Sequence, residues 1–352
     1  MKCGIITVYN SENSGSFLQA YAMSRAIKNL GHNAAFVRQG FKGHSSTLPI
    51  HLKNVLKSLM KRDFLGAKLL KTRRAAFSED CKKNLCIIDA SEKADCLVLG
   101  SDVIWDLTVP YFRRNNKFFW GTGFGETKVI SYAPSVGFAK EREFEAAGFV
   151  RGALSNMSAV SVRDKVSKKL LQPYCDKEIE IVCDPTYLVD RGEYDAIAKH
   201  TDLDNFIFLY CYGKLSEADR TAIQSLAKKE GLKTVTFGGA NRWCDINLAY
   251  DPLLFLSLYD KAKYIITDTF HGTVFATIYE KRFAVIKNDK PKVLDVLEMC
   301  KMSDKMTETA EDIPAVLHSD FDYEATRLRI KKERGNGLNY LKNALERCDK
   351  NG

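Results

Sequence analysis

Residues 264–281 read YIITDTFHGTVFATIYEK, and this stretch joins a buried strand to a helix. Tyr264 to Thr267 are predicted to form the strand, and the helix is predicted from Gly272 onward. The N–H groups in the first turn of a helix have no partner within the helix, so this junction is a natural place for an anion. The stretch therefore predicts an α/β fold in which strand ends carry functional residues.

His271 lies at this junction, between Thr269 and Thr273. A lone histidine is often a structural residue whose ring bonds to a carbonyl group. Here the junction is expected to face a cleft, and we therefore predict a catalytic role for His271. Phe270, Gly272, Thr269 and Thr273 are predicted to bind substrate, through backbone N–H groups and through the two threonine hydroxyls.

The rest of the chain alternates strand and helix in two successive series. The first series holds apolar runs at CGIITVY (3–9), Ala34 to Val37, CLVLGSD (96–102), KVISYAPS (128–135), SAVSVRD (158–164) and IEIVCDP (179–185). The second holds NFIFLYCYG (205–213), LKTVTFGG (232–239), the stretch around residue 265 and FAVIK (283–287). We predict two facing Rossmann-like domains, residues 1–190 and 191–352, the second ending in a charged helix.

The net charge of +9 is concentrated in one segment of the first domain. Between Lys42 and Lys83 the chain has 11 Lys or Arg residues and three acids, with apolar residues at helical spacing. We predict a basic helical insertion over about 42–83. Its charge is either a solvated face or a surface for an anionic partner, such as lipid headgroups or a diphosphate-linked acceptor. Aromatic residues are sparse there, so we expect no nucleic-acid partner.

At 352 residues, of which 45% are hydrophobic, the chain can form two ordinary domains with cores of their own. Its ten cysteines form no CxxC pair, and the N-terminal MKCGIITVYN lacks the segments of a secretory signal. No run approaches the roughly 20 apolar residues that span a bilayer. We therefore expect a cytoplasmic protein with free thiols, whose contact with a membrane would be peripheral.

Two further strand ends carry candidate catalytic residues. Asp102 follows Gly100 and Ser101, and it either caps a turn or acts on an acceptor hydroxyl as an orienting group or base. Arg163 follows another strand, and it either binds a carboxylate or phosphate of a ligand or pairs with Asp164 or another carboxylate.

Several common sites are absent from the sequence. NSENSGS (10–16) matches neither GxGxxG nor a Walker A loop, and no Ser-His-Asp order or zinc spacing is present. Asp102, Asp184 and Asp268 all end strands, but their spacing matches no metal motif. We therefore predict neither a metal nor a cofactor.

Six stretches taken in order resemble motifs of the polysaccharide pyruvyl transferase family. They are NSGSFLQAYAMSRAI, VLGSDVIW, ISYAPSVG, SVRDK, CDPTYLV and ITDTFHGTVFA. The family runs NYGAxLQAYAL, GSDQIW, SYAASFG, SxRE, DPTxLL and TDSFHGTxFS, and the resemblance covers about residues 1 to 300. The chain departs from it at Ser14, Ser16 and Pro134, and at Thr269, which replaces a serine but keeps the hydroxyl.

The resemblance implies a fold similar to GT-B glycosyltransferases and the transfer of pyruvate from phosphoenolpyruvate to two hydroxyls of a sugar in a cell-surface polysaccharide or its precursor. A ketal forms and phosphate is released. The family's histidine matches His271 and its arginine matches Arg163. We expect His271, with a pKa near neutrality, to be the general acid and Asp102 the base.

The resemblance also suggests which groups hold the substrates. Ser101, Asn13, Gly15 and Ser135 lie in the matched motifs and are predicted to bind substrate. The expected partners are phosphoenolpyruvate and a sugar or lipid-linked saccharide acceptor. The basic insertion would allow contact with the anionic inner face of the membrane.

Two other functions remain open from the sequence. A nucleotide-sugar-dependent glycosyltransferase would have the same architecture, and it would need a diphosphate site such as FGGANRWCD (237–245) with Arg242. A non-catalytic binding protein could also keep the fold. The presence of His271, Arg163 and Asp102 together argues against the second alternative.

Overall fold

The structure is a computed structural model that describes residues 1–39, 50–287 and 290–349. The strands of its first sheet are β1 Lys2–Ile6, β2 Asn33–Val37, β3 Ile87–Ile88, β4 Cys96–Leu99, β5 Lys128–Ser131 and β6 Met157–Ala159. They are parallel and lie in the order β3–β2–β1–β4–β5–β6. This order is that of a Rossmann-like fold, which leaves a crevice at the carboxyl ends of the central strands.

Two smaller groups of strands follow. β7 Ser161–Val162 and β8 Glu180–Ile181 form a separate parallel pair. The second large sheet contains β9 Ile207–Tyr210, β10 Thr234–Phe237, β11 Ile246–Leu248, β12 Tyr264–Thr267 and β13 Arg282–Val285. These five strands are also parallel, in the order β11–β10–β9–β12–β13. The predicted alternation of two α/β series is therefore confirmed.

Helices cover and connect the sheets. Those before β9 are α1 Ser14–Asn29, α2 Ile50–Met60, α3 Phe64–Asn84, α4 Pro110–Arg114, α5 Asn116–Phe119, α6 Glu141–Ala147, α7 Val150–Ser155, α8 Lys165–Leu171 and α9 Arg191–Asp195. Those after it are α10 Glu217–Glu230, α11 Pro252–Lys261, α12 Phe270–Ile278, α13 Pro291–Cys300, α14 Asp312–His318 and α15 Tyr323–Asp349. Within the described parts of the chain, no helix is both long and apolar enough to cross a membrane.

Some predicted strands are shorter than the apolar runs that suggested them. The run at 128–135 stops being a strand at Ser131, and the run at 158–164 is divided between β6 and β7. The prediction of a buried strand over 179–185 is wrong, because only β8 is extended there and both of its residues are exposed. β8 pairs with β7 and is not part of the large sheet.

The two halves share one apolar core. A single cluster of buried side chains runs from Ile5 and Phe36 of the first sheet to Phe208 and Ile265 of the second. Helix α1 packs on α11 between the sheets. Each sheet has a further apolar cluster on its other face, as expected for parallel sheets covered on both sides. The carboxyl ends of both sheets are thus held next to each other.

The C-terminal helix returns to the first sheet. Helix α15 contacts β5 and β6, and the hydroxyl of Tyr340 donates to the carbonyl of Ser131 at 2.9 Å. A domain division after residue 190 stays a prediction. That division would assign α15 to the second half, whereas α15 packs on the sheet of the first half. The described part of the basic insertion consists of α2 and α3, while residues 42–49 lie outside the described residues.

Candidate active site

His271 is the second residue of α12, which begins at Phe270 and not at Gly272 as predicted. Strand β12 ends at Thr267, so only two residues separate the strand from the helix. Thr269 caps the helix, because its hydroxyl accepts the N–H of Gly272 at 2.9 Å. The N–H groups of Phe270 and His271 lie in the first turn and have no partner within the helix.

The hydroxyls of Thr269 and Thr273 serve the helix itself. Thr273 Oγ1 donates to the carbonyl of Thr269 at 3.0 Å, and Thr269 Oγ1 lies 2.9 Å from Thr267 Oγ1. Both hydroxyls are thus bonded within the turn, and their role in binding a ligand stays a prediction. A helix start of this kind offers backbone N–H groups with which an anion can interact.

The ring of His271 packs against the first turn of α1. A β-carbon at Gly15 would lie 2.1 Å from His271 Nδ1, so only glycine allows this approach. His271 Nε2 is buried and has no hydrogen-bond partner in the described structure. Burial lowers the pKa of His271 to about 4, although the carboxylates of Asp184 and Asp102 act in the opposite direction. The expected pKa near neutrality is therefore wrong, because the ring is desolvated.

Arg163 follows β7 and is almost fully buried, with 3% of its side chain exposed. Nη1 donates to Asp184 Oδ2 at 3.0 Å, so the carboxylate partner is Asp184 and not Asp164. Nε and Nη2 are buried without a partner among the described residues. The guanidinium carbon lies 4.5 Å from the centroid of the Phe270 ring. Unpaired donors on a buried guanidinium are costly, and an anionic ligand would satisfy them.

Asp184 accepts a hydrogen bond from the guanidinium of Arg163, and other groups donate to both of its carboxylate oxygens. Ser101 Oγ donates to Oδ2 at 3.2 Å, and the N–H and hydroxyl of Thr186 donate to Oδ1 at 3.0 and 2.8 Å. Burial raises the pKa of Asp184, but the charges of His271 and Arg163 and the bonds from Thr186 outweigh burial and lower it. An ionised Asp184 therefore positions Arg163, and Ser101 supports Asp184.

Asp102 follows β4 with a φ of 72°, in the left-handed region that few non-glycine residues adopt. Its Oδ1 accepts the N–H of Val103 at 2.8 Å. This oxygen therefore caps the turn, which is one of the two roles predicted for Asp102. Its Oδ2 accepts the hydroxyl of Ser16 at 2.7 Å, which connects the turn to α1. Burial raises the pKa of Asp102, but nearby positive charges, with Arg163 foremost, outweigh burial and lower it.

Lys292 is a site residue that sequence analysis missed. It is the second residue of α13, and its ammonium lies 5.9 Å from the centroid of the Phe270 ring. No described carboxylate pairs with it within 4.0 Å. Burial and the neighbouring Arg163 lower the pKa of Lys292, while Asp102 acts in the opposite direction. No motif marks this lysine in the sequence, since it follows the strand by several residues and lies at the end of the resemblance.

The remaining predicted residues support the site in different ways. Asn13 caps α1 by accepting the N–H of Ser16 at 3.1 Å, and its amide donates to the hydroxyl of Tyr212 at 2.7 Å. That bond crosses from the first half to the second. Ser135 donates its N–H to the carbonyl of Asp102 at 2.9 Å, and its hydroxyl accepts the N–H of Gly137. The observed contacts of Ser135 thus hold the turn that carries Asp102.

Two cavities adjoin this cluster. The smaller has a volume of about 260 Å³ and is lined by Arg163, Asp184, Phe270, Lys292 and apolar residues of α13. Its lining also includes Asp164, Lys165, Asp295, Glu298 and Glu333. The larger is a cleft of about 1040 Å³ between the start of α1, helix α3 and the carboxyl ends of β9 and β10. The cluster around His271 therefore lies near a small cavity lined by both basic and acidic residues and near a large open cleft.

The cleft is lined by aromatic and polar side chains from both halves. Asn13 and Arg73 line it from the first half, and Tyr212, Trp243 and Tyr250 line it from the second. The guanidinium carbon of Arg73 lies 5.5 Å from the centroid of the Tyr250 ring. Burial raises the pKa of Tyr212 to about 12, so its hydroxyl stays protonated at neutral pH. Aromatic faces with a few fixed polar groups are typical of sites that bind small organic molecules.

The arrangement favours a small anionic ligand. The two carboxylates of the cluster already accept donors, whereas Arg163 and Lys292 keep charged donors with no partner among the described residues. A phosphate or carboxylate would satisfy them. Within the described residues, no group of three or more His, Cys, Asp or Glu side chains is placed to hold a metal ion.

Comparison with protein families gives one match that covers most of the chain. A family model described as polysaccharide pyruvyl transferase matches residues 13–290. The matched range includes Asn13, Asp102, Arg163 and His271, while Lys292 lies just beyond it. No curated protein sequence matches the chain.

Solved structures are similar to the chain over nearly its whole length. UDP-GlcNAc 2-epimerase from Neisseria meningitidis, bound to UDP-GlcNAc, has a TM-score of 0.54 and 11% identity, covering 98% of this chain and 99% of that one. The S. aureus MnaA–UDP co-structure has a TM-score of 0.51 and 11% identity, covering 97% and 94%. At such identity the likeness shows the fold alone, and it confirms two Rossmann-like domains in a GT-B-type arrangement.

Proposed function

Because the chain belongs to the polysaccharide pyruvyl transferase family, we propose that it transfers pyruvate from phosphoenolpyruvate to two hydroxyls of one sugar. The product is a ketal, and inorganic phosphate leaves. The acceptor is a sugar of a cell-surface polysaccharide or its precursor. One observation carries the proposal: the buried Arg163 keeps two donors that have no partner among the described residues, beside Lys292 and His271.

Phosphoenolpyruvate matches these donors in charge and size. It carries a carboxylate and a phosphate on a three-carbon frame, so its site needs two groups of donors close together. Nε and Nη2 of Arg163 can bind one anionic group bidentately, with Asp184 fixing the guanidinium. The ammonium of Lys292 and the N–H groups of Phe270 and His271 supply donors for the other group.

Binding of phosphoenolpyruvate would itself raise the pKa of His271 and so favour its protonated form. Without added negative charge the desolvated ring of His271 has a pKa of about 4 and is neutral at pH 7. An anion bound beside the ring favours its protonated form and raises its pKa. His271 would then carry a proton only when the donor substrate is bound, which limits wasteful hydrolysis of the enol phosphate.

The chemistry balances with these groups. His271 protonates the methylene carbon of the enol, and one sugar hydroxyl attacks the carbon that bears phosphate while Asp102 orients or deprotonates it. The carbon–oxygen bond to phosphate breaks, and a second hydroxyl attacks the same carbon. Of the two protons that the hydroxyls lose, one replaces the proton given to the methyl group and the other leaves with phosphate.

The large cleft is the proposed acceptor site. It meets the cluster at Asn13, which caps α1 next to Gly15 and bonds to Tyr212 in the cleft. Its tyrosines offer ring faces for the C–H surface of a sugar and hydroxyls for its polar groups. The cleft is also large enough for a saccharide of more than one unit. The proposed reaction uses no cofactor and no metal. We propose that it takes place in the cytoplasm.

A nucleotide-sugar-dependent glycosyltransferase is the second candidate, and the cleft is the observation that favours it. Gly238 follows β10 with a φ of 96°, and Arg242 lies in the same wall. These residues could accommodate a diphosphate. This function would leave the unpartnered donors of Arg163 without a ligand, because Arg163 does not line the cleft. We therefore rank it second.

A turnover assay tests the proposal. The native protein is incubated with phosphoenolpyruvate and a panel of hexoses, N-acetylhexosamines and disaccharides. We expect phosphate release that depends on one acceptor class, together with a product that has gained a pyruvyl ketal by mass spectrometry. The His200→Asn variant, at an exposed histidine that pairs with Asp202, serves as the matched control for His271→Asn. Protein that neither binds phosphoenolpyruvate nor consumes it would contradict the proposal.

A further inference from the structure

The turn between α2 and α3 carries an unusual group of exposed apolar side chains. Among the described residues, four of the eleven exposed large apolar residues fall within residues 56–64. Met60 is 84% exposed and Phe64 is 68% exposed, with Leu56 and Leu59 also exposed. Large apolar side chains clustered on a surface typically mark an interaction site. We refer to residues 56–64 as the hairpin tip.

Basic residues surround the hairpin tip. From residue 54 to residue 72 the chain has five basic residues and one acid, Asp63. The basic residues are all exposed: Lys57, Lys61, Arg62, Lys68 and Lys71. None of them forms an ion pair with a described residue, in contrast to Arg73 and Arg74 further along α3, which both pair with Glu12. The charge around the tip is therefore not neutralised by the part of the protein that the structure describes.

We propose that the hairpin tip docks on a lipid bilayer with anionic headgroups. Met60 and Phe64 enter the boundary between headgroups and acyl chains, while the surrounding Lys and Arg side chains bind the headgroups. An apolar tip with a basic rim has the two properties that peripheral attachment requires, since apolar burial and electrostatic attraction each contribute and neither alone is sufficient.

Two other partners fit the tip less well. A second copy of the chain, related by two-fold symmetry, would bring the same basic rim against itself, and like charges across an interface are unfavourable. A nucleic acid would interact with the basic side chains but would leave Met60 and the leucines without a partner. Recognition of single strands relies on stacking with aromatic side chains, and Phe64 is the one aromatic residue of the hairpin tip.

The hairpin tip lies beside the mouth of the cleft. Asp63 at the turn pairs with Arg242 at 3.6 Å, and Arg242 lines the cleft wall formed by the second half. Helix α3 continues from the tip along the opposite wall, where Arg73 contacts Tyr250. Docking therefore brings the cleft opening close to the membrane surface. This consequence rests on the proposed function: the acceptor is a saccharide linked to a membrane lipid, and it enters the cleft from the tip side.

Vesicle cosedimentation with the full chain tests the docking. We expect the native protein to sediment with phosphatidylglycerol vesicles at low salt, to bind phosphatidylcholine vesicles much less, and to be released as salt rises. Met60→Ser with Phe64→Ser should weaken binding by roughly 10-fold or more, because each side chain loses much of its apolar burial. Lys57→Glu with Lys61→Glu should weaken binding to the anionic vesicles by a similar factor, from about 1 kcal/mol lost per lysine at an anionic surface.

A matched control distinguishes docking through the hairpin tip from non-specific binding through other exposed apolar side chains. Phe138 and Leu328 are 76% and 61% exposed and lie outside the tip, so Phe138→Ser with Leu328→Ser removes comparable apolar surface. Equal binding by the tip and control variants would overturn the proposal, as would a native protein that stays in the supernatant with anionic vesicles. A native dimer that the tip variant converts to a monomer, with no vesicle binding, would assign the tip to a second copy instead.

The same variants distinguish this inference from the proposed function. The tip and control variants should both bind phosphoenolpyruvate as tightly as the native protein. If no variant binds phosphoenolpyruvate but vesicle binding follows the tip, the proposed function fails and the docking stands. If phosphoenolpyruvate binds but vesicles do not, the docking fails alone.

Discussion

Gly15 of the first half packs directly on the imidazole of His271 in the second half. A β-carbon at residue 15 would lie 2.1 Å from Nδ1 and 2.7 Å from the histidine β-carbon, closer than non-bonded atoms can approach. The position of the ring is therefore set by the helix start of the other half. The fold brings together two motifs that are more than 250 residues apart in the sequence, and their contact requires the smallest residue.

Gly15→Ala should abolish most activity while leaving the fold intact. The added methyl group forces His271 or α1 to move, and a misplacement of about 1 Å at a catalytic group can cost roughly 100-fold in rate. The measurement is phosphate release together with thermal unfolding. Gly152→Ala is the matched control, because that helical glycine has nothing within 4 Å of a new β-carbon. Full activity in Gly15→Ala would show that the ring position is not critical.

His271→Asn should lower kcat by roughly 100- to 10,000-fold, the range of general acid–base catalysis. Phosphoenolpyruvate binding should weaken much less, because Arg163 and Lys292 remain. The two quantities are measured by turnover and by calorimetry, with His200→Asn as the control. A loss of less than about tenfold in kcat would show that His271 is not the proton donor.

The stability of the protein should fall in acid partly because of His271. Its pKa is about 4 in the folded protein, against an ordinary value of 6.5. As the pH falls below 6.5 the unfolded chain takes up this proton first, so the stability present above 6.5 is lost progressively down to about 4. Urea unfolding at pH 7 and pH 5 should therefore show a smaller loss for His271→Asn. An equal or larger loss in the variant would contradict the lowered pKa.

Arg163→Lys should weaken phosphoenolpyruvate binding even though it keeps the charge. Lysine cannot reproduce the planar set of donors that pairs with Asp184 and leaves Nε and Nη2 for a ligand. Loss of charged hydrogen bonds worth about 1.5–3 kcal/mol corresponds to roughly 10- to 100-fold in Kd. Calorimetry measures the Kd, and Arg151→Lys at an exposed ion pair should leave it unchanged. An unaltered Kd in Arg163→Lys would place the donor substrate elsewhere.

Tyr212→Phe should raise the KM for the acceptor and leave phosphoenolpyruvate affinity near the native value. The variant removes the hydroxyl that accepts from Asn13 and bonds to Tyr210 at 2.7 Å, so the wall of the cleft loses one of its links to the first half. Initial rates at varied acceptor measure the effect. Tyr250→Phe is the comparison, since Tyr250 is a second tyrosine of the same cleft and packs its ring on Phe237. Equal effects on both substrates would indicate a structural role.

The sequence allowed the alternation of strands and helices to be predicted, because buried parallel strands are continuous apolar runs bounded by turn residues. It also allowed His271, Arg163 and Asp102 to be selected, since each follows such a run. The structure places all three near one another, with Asp184 joining Arg163 to the cluster. The local patterns place each residue at a strand end, but the three strands belong to three different sheets, so their convergence depends on how the sheets pack.

Other features depend on tertiary contacts that no local pattern contains. Lys292 belongs to the site because α13 packs beside Phe270, which its own sequence does not reveal. The pKa of His271 departs from neutrality because burial is a property of the whole fold. The hydroxyls of Thr269 and Thr273 are bonded within the first turn because the helix starts earlier than predicted.

Calorimetric titration of the native protein with phosphoenolpyruvate, and separately with UDP- and GDP-sugars, tests the central claim most directly. We expect saturable binding of phosphoenolpyruvate that is lost when Arg163→Gln is combined with Lys292→Gln, and no comparable binding of nucleotide sugars. Thermal unfolding of both proteins verifies that the double variant is folded. Binding of a nucleotide sugar without binding of phosphoenolpyruvate would contradict pyruvyl transfer and favour glycosyl transfer.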